Sequence, residues 1–266
     1  MKIGFMQFAP VLADVQATMQ KIDCLIAQAS DADLLVLPEL CNSGYNFQSV
    51  EQAWTSAEEI RGGVFVACLE SLCQAYGFYL VSGLNERDGD RLYNSAVLVG
   101  PQGYVGRYRK LHLFMNEKDF FEPGDEGLPV FDLGPIRVGM LVCFDWIFPE
   151  AWRILALKGA DVVCHPSNLV LPGLAQRAIP VHALTNRVYV VTANRIGTEG
   201  ELTFTGLSTI ANPRGEVQVQ ASPAGEEVCL VEADVCLARD KDITPKNNLL
   251  ADRRPEVYTL LVEKAH

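Results

Sequence analysis

Three polar residues suited to acyl-transfer chemistry each follow an apolar run of the sequence. Glu39 follows DLLVLP, Lys110 follows YVGRYR and Cys143 follows IRVGMLV. A residue at the carboxyl end of a strand faces the crevice in which α/β proteins place their sites. Taken singly, a cysteine there is often core packing, and Glu and Lys are mostly solvated. Taken together, the three supply a general base, an oxyanion stabiliser and a nucleophile.

The segments around these residues resemble the signature segments of the nitrilase superfamily, the carbon–nitrogen hydrolases. They are LPEL at 37–40, YRKLHLF at 108–114 and CFDWIFPE at 143–150. The segment EKDFFEPGD resembles the one that carries a second active-site glutamate in the family, which assigns that glutamate to Glu117. The resemblance runs in the family's order from about residue 1 to about residue 235. Three ordered segments are far more specific than one motif.

The resemblance implies a hydrolase of carbon–nitrogen bonds other than peptide bonds, and the residue types indicate how it would work. Cys143 would attack the substrate carbon, and Glu39 would take the thiol proton and return it to the departing nitrogen. Lys110 would lower the pKa of the thiol and stabilise the oxyanion, with the backbone N–H of Phe144 as a second donor. Water activated by Glu39 would then cleave the thioester. Glu117 would keep Lys110 charged and oriented.

Residues near these four are candidates for the substrate pocket, which we expect to be lined by Tyr45, Phe114, Phe144, Trp146 and Asn168. For Trp146 and Asn168, core packing or a capped turn is an equally good explanation. Four other polar residues close to the motifs are predicted to be structural, namely His112, Asp145, Glu150 and His165.

Several functions are compatible with this set of residues. The sequence Phe144-Asp145 after the cysteine is typical of amidase-like branches, whereas true nitrilases usually have Trp-Glu there; this favours hydrolysis of a small aliphatic amide to carboxylate and ammonia. A nitrilase or an N-carbamoyl amidohydrolase would use the same residues. A Cys–His hydrolase would pair Cys143 with His112 or His165. A non-enzymatic dimeric scaffold is a further alternative, against which the presence of every expected catalytic residue type argues.

Composition restricts the partners. The 266-residue chain carries a formal net charge of -11 and has no basic run, which argues against nucleic acid and anionic membrane surfaces. No apolar stretch approaches the roughly eighteen residues that span a bilayer. The first ten residues alternate like a strand and lack a convincing cleavage site. We therefore expect a cytoplasmic protein that acts on a small molecule.

Metal-binding and cofactor signatures are absent from the sequence. The eight cysteines include no C-x-x-C pair, and most of them lie in apolar patterns that predict a core position. The four histidines are not spaced as i, i+4 ligands; they are His112, His165, His182 and His266. We predict neither a metal nor an organic cofactor.

Apolar periodicity predicts the elements that must position the site. Helices are expected near 16–30, 63–76, 149–159 and 175–187, with Pro180 either kinking the last one or marking its start. Strands are expected near 78–84, 92–100, 104–109, 188–193, 206–211, 216–221 and 227–234. This mixture predicts an α/β fold with two sheets between helical layers. The resemblance sharpens it to the four-layer α-β-β-α sandwich of the nitrilase type.

The sequence also gives expectations about domain organisation and assembly. Residues 1–266 are predicted to form a single domain, with a C-terminal extension from about residue 236 used in assembly. The resemblance implies a homodimer or larger homo-oligomer built through helices that include the one after Cys143. Apolar residues of that helix, such as Trp152 and Leu155, are expected to meet a partner surface.

Overall fold

The chain was analysed as a computed structural model that describes residues 1–263, so that His266 lies outside the described residues. Its α-helices are α1 (Val15–Ile26), α2 (Val50–Thr55), α3 (Val64–Tyr76), α4 (Pro149–Leu157), α5 (Leu174–Asn186) and α6 (Val235–Arg239). Its strands are β1 (Lys2–Gln7), β2 (Leu34–Val36), β3 (Tyr79–Asp88), β4 (Arg91–Gly100), β5 (Gly103–Arg109), β6 (Val130–Asp132), β7 (Arg137–Met140), β8 (Val162–Ser167), β9 (Tyr189–Asn194), β10 (Thr198–Glu199), β11 (Leu202–Thr203), β12 (Thr209–Ala211), β13 (Val217–Gln220), β14 (Glu227–Glu232), β15 (Asp242–Thr244) and β16 (Asn247–Asn248).

Two six-stranded mixed sheets form the centre of the molecule. The first has the order β14-β1-β2-β3-β4-β5, and the second has the order β13-β12-β9-β8-β7-β6. Strands β1, β2 and β3 are parallel, as are β7, β8 and β9, and the flanking strands are antiparallel. In the parallel register Phe5 pairs with Val36, and Met140 pairs with Cys164. Each parallel set therefore presents its carboxyl ends at one edge of its sheet.

The two sheets pack face to face and are covered by helices on their outer sides. Side chains that alternate along a strand point to opposite faces. In β2, Leu34 and Val36 join the core between the sheets, whereas Leu35 packs with α1 and α3. Helices α4 and α5 cover the outer face of the second sheet. The layers are thus helix, sheet, sheet, helix, which confirms the predicted α-β-β-α sandwich.

Local signals in the sequence set most element boundaries. Gly77 ends α3 in the left-handed region, with φ of +78°, and Pro149 begins α4, where its missing N–H costs nothing. Pro180 lies inside α5, so the prediction that it could mark the start of that helix is wrong. The strand expected from residue 206 begins only at Thr209, because Gly206 and Leu207 both have positive φ angles and are not extended.

The prediction about the outer surface of α4 is wrong for the residues that it named. Trp152 and Leu155 are fully buried and pack within the core between α4 and the second sheet. The outward side of α4 instead carries Ile154 and Leu157, which are 40% and 44% exposed. Trp152 and Leu155 point inward because they occupy the helical face that meets the sheet.

The cysteines are less uniformly buried than predicted. Cys41, Cys73, Cys143 and Cys164 are buried, but the other four are partly or fully exposed, including Cys24 on α1 and Cys236 on α6. Within residues 1–263, no helix has both the length and the apolar character needed to cross a membrane.

Candidate active site

Glu39 is placed by the end of β2 and by close contact with β3. Pro38 lies two residues beyond the last residue of β2, Val36, and its carbonyl accepts a hydrogen bond from the N–H of Gly83 (3.0 Å). A Cβ atom on Gly83 would lie 2.3 Å from the Cα atom of Glu39, so that only glycine allows the two backbones to approach this closely. The Glu39 side chain is fully buried as a result.

Lys110 follows β5 and is fixed by its backbone. Its N–H donates to the carbonyl of Asn94 (2.8 Å), and its carbonyl accepts from the N–H of Gly124 (2.9 Å). A Cβ atom on Gly124 would lie 2.1 Å from the carbonyl oxygen of Arg109, which explains the glycine at that position. The Lys110 side chain is fully buried and points toward Glu39.

Glu117 lies in a single 3₁₀ turn, Met115–Asp119, and faces the same interior point. Its carboxylate accepts hydrogen bonds from the backbone N–H of Phe114 (3.1 Å) and from the hydroxyl of Tyr45 (2.8 Å). Only 4% of Glu117 is exposed, far less than is usual for a loop glutamate.

Cys143 occupies a strained position at the start of a 3₁₀ turn, Cys143–Ile147, that follows the end of β7 at Met140. Its φ angle is +42°, in the left-handed region that a residue with a side chain rarely adopts. Asp145 stabilises this turn, because its Oδ2 accepts hydrogen bonds from the N–H of Val142 (2.9 Å) and the hydroxyl of Tyr108 (2.8 Å). The Nε2 of His165 contacts the Cys143 carbonyl at 2.8 Å. Strain of this kind is typical of functional positions.

A buried ion triad brings three of the predicted residues into contact. The Lys110 Nζ lies 2.7 Å from Glu39 Oε1 and 2.7 Å from the Glu117 carboxylate. Burial alone would lower the pKa of Lys110, but the charges of Glu117 and Glu39 raise it above its usual range. Burial, together with the charge of Glu39, raises the pKa of Glu117 despite the opposing effects of Lys110 and the Tyr45 hydroxyl. Lys110 is therefore held as a cation between two carboxyl groups.

The Cys143 thiol lies within the electric field of this triad. Burial and the negative charge of Glu39 raise the pKa of Cys143 well above its usual value, and Lys110 and the backbone N–H of Asn168 only partly oppose this. Lys110 thus lowers the pKa of Cys143 as expected, but burial and the charge of Glu39 outweigh this effect. The resting side chain is a thiol, which needs a base before it can attack a carbonyl carbon.

Glu39 has an oxygen available for that proton. Its Oε1 accepts hydrogen bonds from Lys110 and from the Asn94 Nδ2 (2.7 Å), whereas its Oε2 has no hydrogen-bond partner among residues 1–263. Asn168 lies beside both reacting groups, since its Nδ2 donates to the Glu39 carbonyl (3.0 Å) and its N–H reaches the Cys143 thiol. Sequence reasoning missed Asn94, although a polar residue inside the apolar run of β4 was a usable signal.

A cavity of about 630 Å³ reaches the triad at Glu117. It contains three of the predicted residues, Tyr45, Phe114 and Glu117, and its remaining wall consists of Asn46, Phe47, Gln48, Met115, Asn116, Phe120, Phe121, Val170, Gly200, Glu201 and Leu202. Cys143 is not one of the wall residues, and 4% of its surface is exposed. The cavity wall therefore combines aromatic side chains with polar and acidic ones.

Two predicted pocket residues take part in packing next to the cavity. The ring centroid of Phe144 lies 4.9 Å from that of Phe114 and 5.5 Å from that of Phe148. Trp146 packs within the large core between the sheets. Neither residue belongs to the cavity wall, and the same is true of Asn168.

The two histidines close to the motifs do not pair with the thiol. The Nε2 of His165 contacts the Cys143 carbonyl, not its sulfur, and burial lowers the pKa of His165 to about 4. His112 lies 2.7 Å from Asp145 Oδ1 and stacks on Phe148 with a centroid distance of 3.6 Å. Both contacts fit the expected structural roles of His112, His165 and Asp145. Glu150 lies exposed in the first turn of α4.

The chain was also compared with known proteins. The family described as Carbon-nitrogen hydrolase matches residues 2–240. A nitrilase from Pyrococcus abyssi is 49% identical over 97% of this chain and 98% of its own. A carbon-nitrogen hydrolase from Helicobacter pylori G27 has a TM-score of 0.87 at 27% identity, covering 99% of both chains. An amidase from Nesterenkonia sp. has a TM-score of 0.82 at 27% identity, covering 98% of this chain and 96% of its own. With this fold and these matches, the chain belongs to the carbon–nitrogen hydrolases of the nitrilase superfamily and is an enzyme of that kind.

Proposed function

We propose that this enzyme hydrolyses a small aliphatic amide to the carboxylate and ammonia through a thioester on Cys143. The observation that carries the proposal is the buried triad beside the thiol, in which Lys110 contacts both Glu39 and Glu117 at 2.7 Å. Burying two carboxyl groups and an ammonium costs free energy unless the charges are paired with one another. Perturbed ionisable groups of this kind are concentrated at functional sites.

In the first step, the Cys143 sulfur attacks the amide carbon while its proton passes to the unpartnered Oε2 of Glu39. The carbonyl π electrons move to oxygen, which becomes an oxyanion. The Lys110 ammonium and the backbone N–H of Phe144 stabilise that charge. The raised pKa of Cys143 makes Glu39 necessary, because little thiolate exists at neutral pH before substrate binds.

In the second step, the oxyanion collapses and the carbon–nitrogen bond breaks. Glu39 returns its proton to the nitrogen, so that neutral ammonia leaves and an acyl-thioester remains on Cys143. Glu39 then removes a proton from water as the water attacks the thioester carbonyl. Collapse of this second tetrahedral intermediate expels the sulfur, which regains its proton from Glu39 and releases the carboxylic acid.

Glu117 has a positioning role in this scheme, through its contact with Lys110. A lysine at the end of a strand has a long flexible side chain, and its contacts with Glu39 and Glu117 hold the Nζ in one place. Phe144 and Asn168 support the reacting groups, and Tyr45 and Phe114 contact the substrate in the cavity. Trp146 supports the turn from within the core.

A nitrilase is the second candidate, and the 49% identity to a protein named as a nitrilase favours it. The residues after the nucleophile favour the amide. Asp145 has the short acidic side chain of the amidase-like pattern, and its carboxylate holds Tyr108 and the N–H of Val142. The two reactions diverge only after attack, when a nitrile gives a thioimidate that must add water before it loses ammonia.

The charge of the cavity also bears on the substrate. Its charged wall residues are Glu117 and Glu201, and the wall includes no Lys, Arg or His within the described residues. A substrate carboxylate would find no cationic partner there and would meet like charge. This argues against an N-carbamoyl amino acid, which is one substrate class of the third alternative, an N-carbamoyl amidohydrolase.

Matched substrate pairs test the proposal. Propionamide should be hydrolysed with a higher kcat/KM than propionitrile, and it should also be preferred to succinamate, which adds a carboxylate. Ammonia release would be measured for all three, with the Cys143→Ala variant as the background control. A clear preference for propionitrile would contradict the amide assignment. A preference for succinamate would contradict the inference that the cavity disfavours a substrate carboxylate.

We also propose that residues 1–266 act as one domain that forms a homodimer or larger homo-oligomer, with the segment from about residue 236 contributing to assembly. Apolar side chains of α4 and α5 are exposed next to one another, namely Ile154, Leu157, Val181 and Leu184. The C-terminal segment adds Leu260, Leu261 and Val262. A patch of this kind marks an interaction surface.

Light scattering at micromolar concentration tests the assembly. The wild-type chain should have at least twice its monomer mass of 29.3 kDa. Ile154→Glu with Leu157→Glu should give a monomer with unchanged circular dichroism, because both side chains point outward. A fully active monomeric wild-type protein would refute the proposal.

The proposed location is the cytoplasm. All eight cysteines are unpaired thiols, as is usual in a reducing compartment. Cell fractionation would check it, and recovery outside the cytoplasmic fraction would contradict it.

A further inference from the structure

We propose that Arg195 and Glu199, a buried ion pair outside the proposed catalytic residues, position Tyr45 so that its hydroxyl holds Glu117 against Lys110. This inference rests on the proposed function, because it assigns a role within the same site. Neither residue was singled out from the sequence. Arg195 directly follows β9, and Glu199 ends β10, next to the cavity-wall residues Gly200 and Glu201.

The first route from the ion pair to Tyr45 runs through the backbone. Arg195 Nη1 bonds to Glu199 Oε1, and both residues are almost fully buried. The other carboxylate oxygen, Oε2, accepts hydrogen bonds from the N–H groups of Tyr45 (2.9 Å) and Asn46 (2.7 Å). The Asn46 Nδ2 in turn donates to the Glu199 carbonyl (2.8 Å). One carboxylate thus ties the loop that carries Tyr45 to Arg195.

The second route runs through aromatic contacts. The Arg195 guanidinium lies 4.1 Å from the ring centroid of Phe204, a cation–π distance. The Phe204 ring meets the Tyr45 ring edge to face, with centroids 5.9 Å apart and an interplanar angle of 87°. Arg195 therefore constrains both the backbone and the ring of Tyr45, which leaves the hydroxyl little freedom of direction.

Tyr45 connects this pair to the proposed chemistry. Its hydroxyl donates to Glu117 Oε1 at 2.8 Å, and Glu117 contacts the Lys110 Nζ. Burial and the charge of Glu117 raise the pKa of Tyr45 well above its usual value, so that the phenol remains a donor. Its hydrogen bond lowers the pKa of Glu117, which favours the charged carboxylate that Lys110 needs.

Loss of that hydrogen bond has a definite consequence for pH dependence. The charged and titratable groups that act on Glu117 are Lys110, Glu39 and Tyr45. Without the Tyr45 donor, the pKa of Glu117 rises further, and Glu117 becomes protonated at a higher pH. The acidic limb of the activity profile should therefore move to higher pH.

Glu199→Gln tests the pair with minimal change in shape. An amide cannot accept from Arg195 on one side and from two backbone N–H groups on the other, because its NH₂ group is a donor. With a substrate whose ammonia release depends on Cys143, kcat should fall roughly tenfold to a hundredfold, the scale of a small misplacement of reacting groups. The acidic limb should rise by about half a pH unit or more. Tyr45→Phe should move it in the same direction.

Asp161→Asn is the matched control. Asp161 is also a buried carboxylate that pairs with an arginine, Arg239 (3.0 Å), and accepts a backbone N–H, that of Arg137 (2.9 Å). It lies at the opposite end of β8 from the site. Asp161→Asn should lower Tm but leave kcat and the pH profile unchanged, which separates a positioning role from general destabilisation.

A double variant decides whether Glu199 acts through Tyr45. Glu199→Gln introduced into Tyr45→Phe should change kcat by no more than about twofold, because the shared hydrogen bond is already lost. If the two substitutions lowered kcat by factors that multiply in the double variant, the proposal would be overturned. A Glu199→Gln variant that lowers only Tm would overturn it as well. If Glu199→Gln does not fold, Phe204→Leu tests the aromatic route with the same pH readout, and an unmoved profile would overturn it. Failure of the proposed function would appear separately, as turnover that persists in Cys143→Ala.

Discussion

Cys143→Ala is expected to abolish turnover and leave the fold intact. The thiol is the nucleophile of the proposed mechanism, and the serine variant should be nearly as inactive because a hydroxyl is less acidic and less nucleophilic than a thiol. Alanine meets the same positive φ angle of 42° that cysteine already tolerates, so that the change adds little backbone strain. Ammonia release and Tm would be measured on the same preparation.

Cys164→Ala is the control for this variant. Cys164 is a fully buried cysteine of β8 and joins the core between the sheets without contacting the triad. Its replacement should cost some stability and retain activity. If Cys143→Ala kept activity within about tenfold of wild type, a barrier change of only about 1.4 kcal/mol, the thioester mechanism would be refuted.

Lys110→Ala is expected to lower kcat by roughly 10²–10³ or more, the scale of one oxyanion donor. The Nζ is the group that contacts both Glu39 and Glu117, and its removal leaves two buried carboxyl groups without a cation. Breaking a buried ion pair costs about 3–5 kcal/mol, so that stability should fall as well. The kinetic constants must therefore be measured at a temperature at which Tm and circular dichroism show that the variant is folded.

His112→Gln and His165→Gln distinguish this mechanism from a Cys–His dyad. His112 contacts Asp145, and His165 contacts the Cys143 carbonyl, so each substitution should retain measurable catalysis. A dyad would show the opposite pattern, with one histidine variant inactive and Lys110→Ala active. Together the three variants test whether a histidine is the base and whether Lys110 stabilises the oxyanion.

The structure also explains why the site pairs its charges so closely. A thiol in this interior has a raised pKa, and the base of the proposed mechanism, Glu39, is itself a buried carboxylate. In that mechanism Lys110 offsets the charge of Glu39 before the reaction and that of the oxyanion during it. The cation is thus preorganised for the charge that develops in the transition state.

The sequence by itself determined the family, the order of the elements and the positions of four proposed catalytic residues. Such features depend on neighbours in the chain: Pro38 lies just beyond the end of β2, Gly77 ends α3, and Pro149 begins α4. Continuous apolar runs likewise predicted strands that are buried on both faces. These signals are local, and the printed sequence contains them in full.

Tertiary structure alone decided the environment of those residues. Glu39 and Lys110 are separated by 71 positions, and the contact between Tyr45 and Glu199 joins residues 154 positions apart. The raised pKa of Cys143 and the inward direction of Trp152 and Leu155 follow from what packs against them. Burial, charge pairing and pKa depend on distances in space between residues that are remote in the chain, and no local pattern in the sequence specifies those distances.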